Sequence, residues 1–233
     1  LDSLGVSLFR INLSHTSLDE LPVFIRIIAK NSDVPICLDT EGAQIRTSDF
    51  QKRSIIVKDN SKIDIAKDAI LGDETKFNLY PKTVWGQLKI DDLLSIDFDS
   101  VLVRIISKDI KMMKARILNG GEISPNKAVS LDRKIQLPPL TNKDKQAIKI
   151  CSQMQIRHYA LSFAHVGSDI DELNKYVPKD SIIISKIECS DSLSNLANIV
   201  KKSDRILIDR GDLSREESLE RIPFLQKKII SRA

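Results

Sequence analysis

Two short runs of the sequence carry side chains suited to phosphate and metal chemistry. In Ser185-Lys186-Ile187-Glu188 a lysine and a glutamate follow an apolar segment, and the two-residue period of a strand puts both on one face. Asp209-Arg210-Gly211-Asp212 closes another apolar segment with a carboxylate beside a glycine. Two further runs accompany them. In Arg10-Ile11-Asn12-Leu13-Ser14-His15 the polar residues Arg10, Asn12 and Ser14 share one face, while Phe9, Ile11 and Leu13 share the other. In Leu38-Asp39-Thr40-Glu41-Gly42 the side chains of Asp39 and Thr40 offer oxygen ligands at a loop mouth, with Arg46 just beyond. Glu188 and Asp212 suit Mg²⁺, which binds through one or two carboxylates plus phosphate oxygens and water. Arg10 and Lys186 supply positive charge for a phosphate. Together these are the parts of phosphoryl transfer, a reaction governed by positioning and charge neutralisation. Singly, each run has an ordinary explanation: a solvated edge strand, an Asx turn, a structural ion pair, a Gly-Asp turn. Leu161-Ser162-Phe163 is a weaker signal of the same kind.

The elements that must position these runs are short and regular. Val6–Leu13, Val34–Leu38, Tyr159–Phe163, Ile182–Ile187 and Ile206–Ile208 read as strands covered on both faces, rich in Ile, Val and Leu. Helical patterns lie between or after them. Ser17 to Glu20 forms a capping box ahead of Leu21, Phe24, Ile25 and Ile28. Thr141 opens a helix with Ala147, Ile148, Cys151 and Met154 on one face. Leu193, Leu196, Ile199 and Val200 mark a third. Ser214 to Glu217 reads as a second capping box, leading into Leu219, Ile222, Leu225 and Ile229, with Pro223 expected to kink that helix or set off its first part as a turn. Alternating strands and helices imply α/β architecture with a parallel sheet. From about Ser48 to Ala128 the rhythm changes to short β-segments: SIIVKD, SKIDIAK, KFNLY, QLKIDD, SVLVRIIS and KMMKARIL. The expected organisation is a barrel domain in two parts, 1–47 and 129–233, interrupted by an inserted all-β domain at 48–128.

The composition fits this reading. The chain has 233 residues, 42% hydrophobic and 29% charged, which excludes a disordered tail, a collagen-like rod and a disulfide mini-protein. No apolar run approaches the ~20 residues of a membrane span, so no membrane association is expected. A net charge of +4 is too diffuse to argue for nucleic acid. Cys37, Cys151 and Cys189 are far apart and form no C-x-x-C pair, as expected of incidental or buried thiols in a reducing cytoplasm. The opening LDSLGVSLFR has no signal-peptide pattern; it reads as a helix end, a glycine stop and the start of a strand, so the chain is expected to begin mid-domain. Five strands are few for a closed barrel. The open edges call for flanking sequence or a partner copy, and a homo-oligomer is expected.

At these residues the sequence resembles the pyruvate kinase family. The blocks that carry the resemblance occur in order: Arg10 to His15, Leu38 to Thr47, Asn119-Gly-Gly-Glu-Ile with Asn126-Lys127, Ala160 to Phe163 with Ser185 to Glu188, and Arg210 to Leu213. Gln226 to Ile230 resembles the helix that follows the family's Gly-Asp motif. The resemblance implies a partial TIM-type (β/α) barrel with an inserted all-β lid, converting phosphoenolpyruvate and ADP to pyruvate and ATP in the cytoplasm. It implies Lys186 as the catalytic residue, stabilising the transferring phosphoryl group and the enolate. Arg10, Ser162, Gly211 and Asp212 would contact the substrate, and His15, Arg46 and Lys127 the nucleotide. Mg²⁺ would be held by Glu188 and Asp212, and K⁺ by Asn12, Ser14, Asp39 and Thr40.

The sequence also departs from the family pattern. Glu41 stands where the family usually has Lys, reversing a charge near a phosphate site. Asp209 replaces a usual Ala, putting a carboxylate near the bay for the substrate carboxylate, where like charges would weaken anion binding. Ala43, Gln44, His165 and Ser214 replace a usual Pro, Glu, Arg and Gly. The family's first barrel strand would precede Leu1; its substrate-binding Thr segment, last strand and regulatory domain would follow Ala233. These departures leave two other readings open: a divergent enzyme of the same fold acting on another phosphorylated or enolate-forming acid, and a non-catalytic binding module.

Overall fold

The computed structural model describes residues 5–97 and 100–233; the helix end expected at residues 1–4 lies outside them. The chain divides into two compact units, Leu1–Ala43 with Pro138–Ala233, and Gln44–Leu137.

The first unit is built on a parallel sheet whose five strands follow sequence order: Phe9–Asn12, Ile36–Asp39, His158–Leu161, Ile182–Ile187 and Arg205–Ile208. One sheet face packs on helices through Leu38, Tyr159, Leu161, Ile183 and Ile187, all within the larger core, where Ala147, Ile148, Ile170 and Ile199 meet them. The opposite face carries a small apolar cluster, Cys37, Ala160 and Ile184. The period of two then decides which side chains belong to that second face near the strands' C-terminal ends: Asp39 follows Cys37, and Lys186 follows Ile184. All three cysteines are free and buried.

Local signals explain the helices. Leu21–Asn31 starts with Pro22, whose missing N–H costs nothing in the first turn, and it buries Leu21 and Ile25. The Ser17–Glu20 box forms one turn earlier, the Glu20 carboxylate accepting from the Ser17 amide at 2.9 Å. Asn142–Gln153 is capped by Thr141, whose hydroxyl accepts from the Asp144 amide while Asp144 accepts from the Thr141 amide. Pro223 marks a boundary, with a 3₁₀ turn at Leu219–Arg221 giving way to the helix Ile222–Ile230.

Some expectations need correction. The helix expected through Leu193 to Val200 is two, Ser190–Ser194 and Leu196–Lys202, broken at Asn195. The Ser214–Glu217 capping box does not form. Ser214 instead ends the short helix Arg210–Leu213, and Glu216 and Glu217 turn away to accept from the Ser190 amide and hydroxyl. A further helix, Gly167–Asn174, was not anticipated; Asp169 caps it by accepting from the amides of His165 and Val166.

The second unit contains a closed barrel of Ala128–Leu131, Ile45–Thr47, Lys76–Tyr80, Lys62–Ala66, Met112–Asn119, Val101–Lys108 and Leu93–Ile96, in that order around the ring. Strict alternation fills its interior: Val101, Val103 and Ile105 point in while Arg104 points out, and Met113, Ala115 and Ile117 alternate with Lys114 and Arg116. Gly121–Ile123 pairs with Ile55–Val57 in a separate ribbon. QLKIDD is a turn rather than a strand. Asp92 is buried, accepts from the Lys89 amide at 2.7 Å and pairs with Arg133, while Asp91 adopts φ +73°. The strand begins only at Leu93.

Candidate active site

The first unit gathers polar side chains where its strands end. Lys186, on Ile182–Ile187, is the centre. Its ammonium nitrogen lies 2.7 Å from Glu188 Oε1 and 3.4 Å from Asp39 Oδ1. It donates to Ser162 Oγ at 3.1 Å, and Asp209 Oδ2 stands 4.0 Å away. Ser162 Oγ in turn donates to Asp39 Oδ1 at 3.0 Å. Arg10 approaches the same carboxylate from the neighbouring strand, Nε to Asp39 Oδ2 being 3.5 Å, with its own side chain open to solvent. Register accounts for this: Arg10 is the cross-strand partner of Cys37, and Asn12 of Asp39.

These charges are held out of water. Asp39, Glu188 and Lys186 are 0%, 1% and 6% exposed, so each would be costly unpaired. Burial works against the Lys186 ammonium, yet Glu188 and Asp39 outweigh it and raise its pKa above the ordinary lysine value. Burial pushes the Glu188 carboxyl up to about 7, although the Lys186 ammonium and the Phe163 amide pull the other way. Lys186 is therefore a fixed positive charge rather than a base.

Backbone geometry fixes the surroundings. Phe163 adopts φ +51°, and its amide donates to Glu188 Oε2 at 2.6 Å. The Ser162 amide donates to Thr40 Oγ1 at 3.0 Å. Gly42 has φ +71°, and a Cβ there would lie 2.4 Å from the Ser162 carbonyl oxygen, so the two loops approach as closely as glycine permits.

The donor chemistry fits a divalent cation. Glu188, Asp209 and Asp212 each present one carboxylate oxygen, all within 4.8 Å of one another. Glu188 Oε1 is fully buried, with the Lys186 ammonium 2.7 Å away in poor hydrogen-bond alignment, so a lone pair remains for a ligand. Hard carboxylate oxygens of this kind suit Mg²⁺. For a monovalent cation, Asp39 ends one strand with Thr40 just beyond it, and Asn12 ends its neighbour with Ser14 in the 3₁₀ turn that follows rather than on the strand face expected from the sequence; all four have oxygen donors. Asn12 Oδ1 accepts from the Ser14 amide, and Thr40 Oγ1 accepts from the Ser162 amide.

The remaining expected residues are distributed as follows. Gly211 and Asp212 lie in the four-residue helix Arg210–Leu213, whose cap is Asp209: its Oδ1 accepts from the Asp212 amide at 3.3 Å. Asp212 Oδ1 is 3.2 Å from Arg215 Nε. His15 is exposed in the 3₁₀ turn Leu13–His15. Arg46 and Lys127 belong to the second unit. There Arg46 is the cross-strand partner of Ala128 and donates to the Asn126 carbonyl at 3.1 Å, while Lys127 pairs with Asp97 at 2.9 Å.

Sequence reasoning missed two residues beside this cluster. Asp144, wholly buried, accepts from the amides of Glu41 at 2.7 Å, Gly42 at 3.3 Å and Thr141 at 2.8 Å, and so closes the loop after Asp39. Lys143 donates to the Leu13 carbonyl at 2.7 Å and to Glu41 Oε1 at 2.9 Å. The charge reversal expected at Glu41 is therefore matched: a lysine from another element neutralises it. The Thr141-x-x-Asp144 spacing was the available signal, since a capping box places both residues at a helix entrance.

The whole chain, residues 1–233, matches the family model for the pyruvate kinase barrel domain. It is 30% identical to the pyruvate kinase of Methanocaldococcus jannaschii over 95% of this chain and 48% of that protein. It is 29% identical to that of Thermotoga maritima, over 97% of this chain and 51% of the relative, and 30% identical to that of Staphylococcus aureus, over 97% and 40%. The chain thus spans about half or less of the curated relatives it matches. No helix among the described residues is long and apolar enough to cross a membrane. With the ordered motif blocks and the charged cluster at the strand ends, this match over the full chain means that the chain belongs to the pyruvate kinase family.

Proposed function

We propose that this chain supplies the phosphoryl-transfer site of a pyruvate kinase-type enzyme, acting between phosphoenolpyruvate and ADP to give pyruvate and ATP. The observation that carries the reading is the buried Lys186 ammonium, held among Asp39, Ser162, Glu188 and Asp209 at one end of a parallel sheet.

In this reading the sheet is part of a TIM-type (β/α) barrel, with chemistry at the C-terminal strand ends. The all-β unit, expected at 48–128 and bounded by Gln44–Leu137, would be the lid domain that the family resemblance implies. Arg10 and Ser162 meet the phosphorylated acid, and the Gly211 and Asp212 backbone receives its carboxylate. Lys186, kept charged by its neighbours, stabilises charge as it develops on the transferring phosphoryl group and the enolate oxygen. Asp39 and Ser162 hold the Lys186 side chain in one orientation. Glu188 and Asp212 would hold Mg²⁺, which supplies neutralisation of the phosphoryl oxygens. Asn12, Ser14, Asp39 and Thr40 would hold K⁺. Arg46, Lys127 and His15 would serve the nucleotide phosphates. A cytoplasmic homo-oligomer is the proposed working form.

The test is a coupled assay of the full-length protein with Mg²⁺, K⁺, phosphoenolpyruvate and ADP. Lys186→Met should lower kcat by about a thousandfold, the scale of losing a preorganised transition-state charge, with the circular dichroism spectrum retained. Absence of turnover, or turnover indifferent to Lys186→Met, overturns the proposal. Asp209 favours a second reading, a divergent enzyme acting on another phosphorylated acid, because its carboxylate already accepts from the Asp212 amide. In that case Asp209→Ala should raise phosphoenolpyruvate affinity.

A further inference from the structure

We propose that Asp209 is a third protein ligand of the divalent-cation site, so that the cation is bound before any phosphorylated substrate arrives. The inference rests on the reading of Glu188 and Asp212 as the cation's carboxylates and adds a ligand to that pair.

Asp209 ends the last strand of the sheet, and its carboxylate presents an oxygen within 4.8 Å of those of Glu188 and Asp212. The second observation is Glu188 itself. Oε2 is satisfied by the Phe163 amide at 2.6 Å, whereas the wholly buried Oε1 has the Lys186 ammonium 2.7 Å away without an aligned hydrogen bond. A carboxylate oxygen that meets one cation out of alignment keeps a lone pair, which a second cation can take. Charge points the same way. Lys186, 2.7 Å from Glu188, offsets one carboxylate, and Arg215, 3.2 Å from Asp212, faces another. A pair so neutralised attracts a dication weakly on its own and leans on the substrate's phosphate oxygens to complete the site. Asp209 restores negative charge. It is also the ligand best able to move: its side chain is 31% exposed, its contact with the Asp212 amide is long at 3.3 Å, and Lys186 stays 4.0 Å away. A small rotation brings it onto the ion, at the cost of a loose helix cap.

Capping and ligation separate experimentally. Asp209→Asn keeps a side-chain oxygen for the Asp212 amide but removes the charge; Asp209→Ser caps the helix with a side chain too short to reach the ion. The probe is Mn²⁺ alone, titrated into the full chain without phosphorylated substrate or nucleotide. Free Mn²⁺ is read by electron paramagnetic resonance, and circular dichroism checks that each variant is folded. The expected result is one Mn²⁺ site abolished by Glu188→Gln and weakened about tenfold or more by both Asp209 variants, as loss of one anionic ligand implies. Asp209 variants that bind within twofold of the parent, while Glu188→Gln abolishes binding, overturn the third ligand and leave the two-carboxylate site standing. Mn²⁺ binding that ignores Glu188→Gln overturns both.

Discussion

Removing Lys143 leaves Glu41 buried beside the site with its charge unmatched. Glu41 Oε1 is 2.9 Å from Lys143 Nζ, and Oε2 accepts from Thr141 Oγ1 at 3.2 Å. Breaking a fully buried pair from one side costs about 3–5 kcal/mol. Here the Lys143 side chain is 27% exposed and Glu41's is 8%, so water reaches the bridge and Lys143→Met should cost about 2–3 kcal/mol. Glu41→Gln keeps the shape and leaves Lys143 its bond to the Leu13 carbonyl; about 1 kcal/mol is expected. The double variant carries no orphaned charge and should cost about 2 kcal/mol, so a double-mutant cycle should return a coupling of about 1.5 kcal/mol. Urea denaturation is the assay, and the two units can be followed separately. Among the described residues every helix of eight or more residues lies in the first unit, so ellipticity at 222 nm reports it. The single tryptophan, Trp85, lies in the second and reports it by fluorescence. A coupling below about 0.5 kcal/mol in the helical signal, the scatter of independent sites, would refute the claim that Lys143 neutralises Glu41.

Two other perturbations test the frame of the site. Gly42→Ala puts a methyl group 2.4 Å from the Ser162 carbonyl oxygen at a left-handed φ of +71°; a loss of about 2–4 kcal/mol in the same unfolding assay is expected, and an unchanged midpoint would mean the loops are not in contact. Asp144 governs a pH dependence. Burial raises its carboxyl from 3.8 to about 6, despite the backbone N–H groups of Thr141 and Glu41. The folded state therefore holds this proton more tightly than the unfolded chain does. The stabilisation is complete below pH ~4 and is lost as pH rises through about 6, by up to about 3 kcal/mol. Asp144→Asn cannot titrate, so the stability difference, parent minus variant, should fall across pH 4–6; a flat difference refutes it.

What the sequence disclosed follows the range of the interactions involved. Ile182–Ile187 and Lys76–Tyr80 were read with their observed bounds because apolar content and alternation are local properties. Lys186 and Glu188 were placed on one face for the same reason. QLKIDD carries the alternation of a strand, but Asp92 is drawn into a buried pair with Arg133, 41 residues away, and the backbone turns instead. Ser214 to Glu217 has the spacing of a capping box, but Glu216 and Glu217 find partners at Ser190. In each failure a distant polar partner overrode a sound local pattern.

The same rule bears on how substitutions in such a site should be read. Taken one position at a time, Glu41 is a negative charge where the family resemblance leads one to expect a lysine. In the folded chain it is half of a pair whose lysine comes from 102 residues further on. Asp39 is bracketed by Arg10 and by Lys186, 147 residues away. Buried charges are tolerated only in sums close to neutrality, so the quantity the fold conserves is the local sum rather than the residue at any one position. Asp209 is then the informative departure. Glu41 brings its own counter-charge; Asp209, 4.0 Å from a lysine already 2.7 Å from Glu188, does not, and leaves a negative excess that a divalent cation is suited to match.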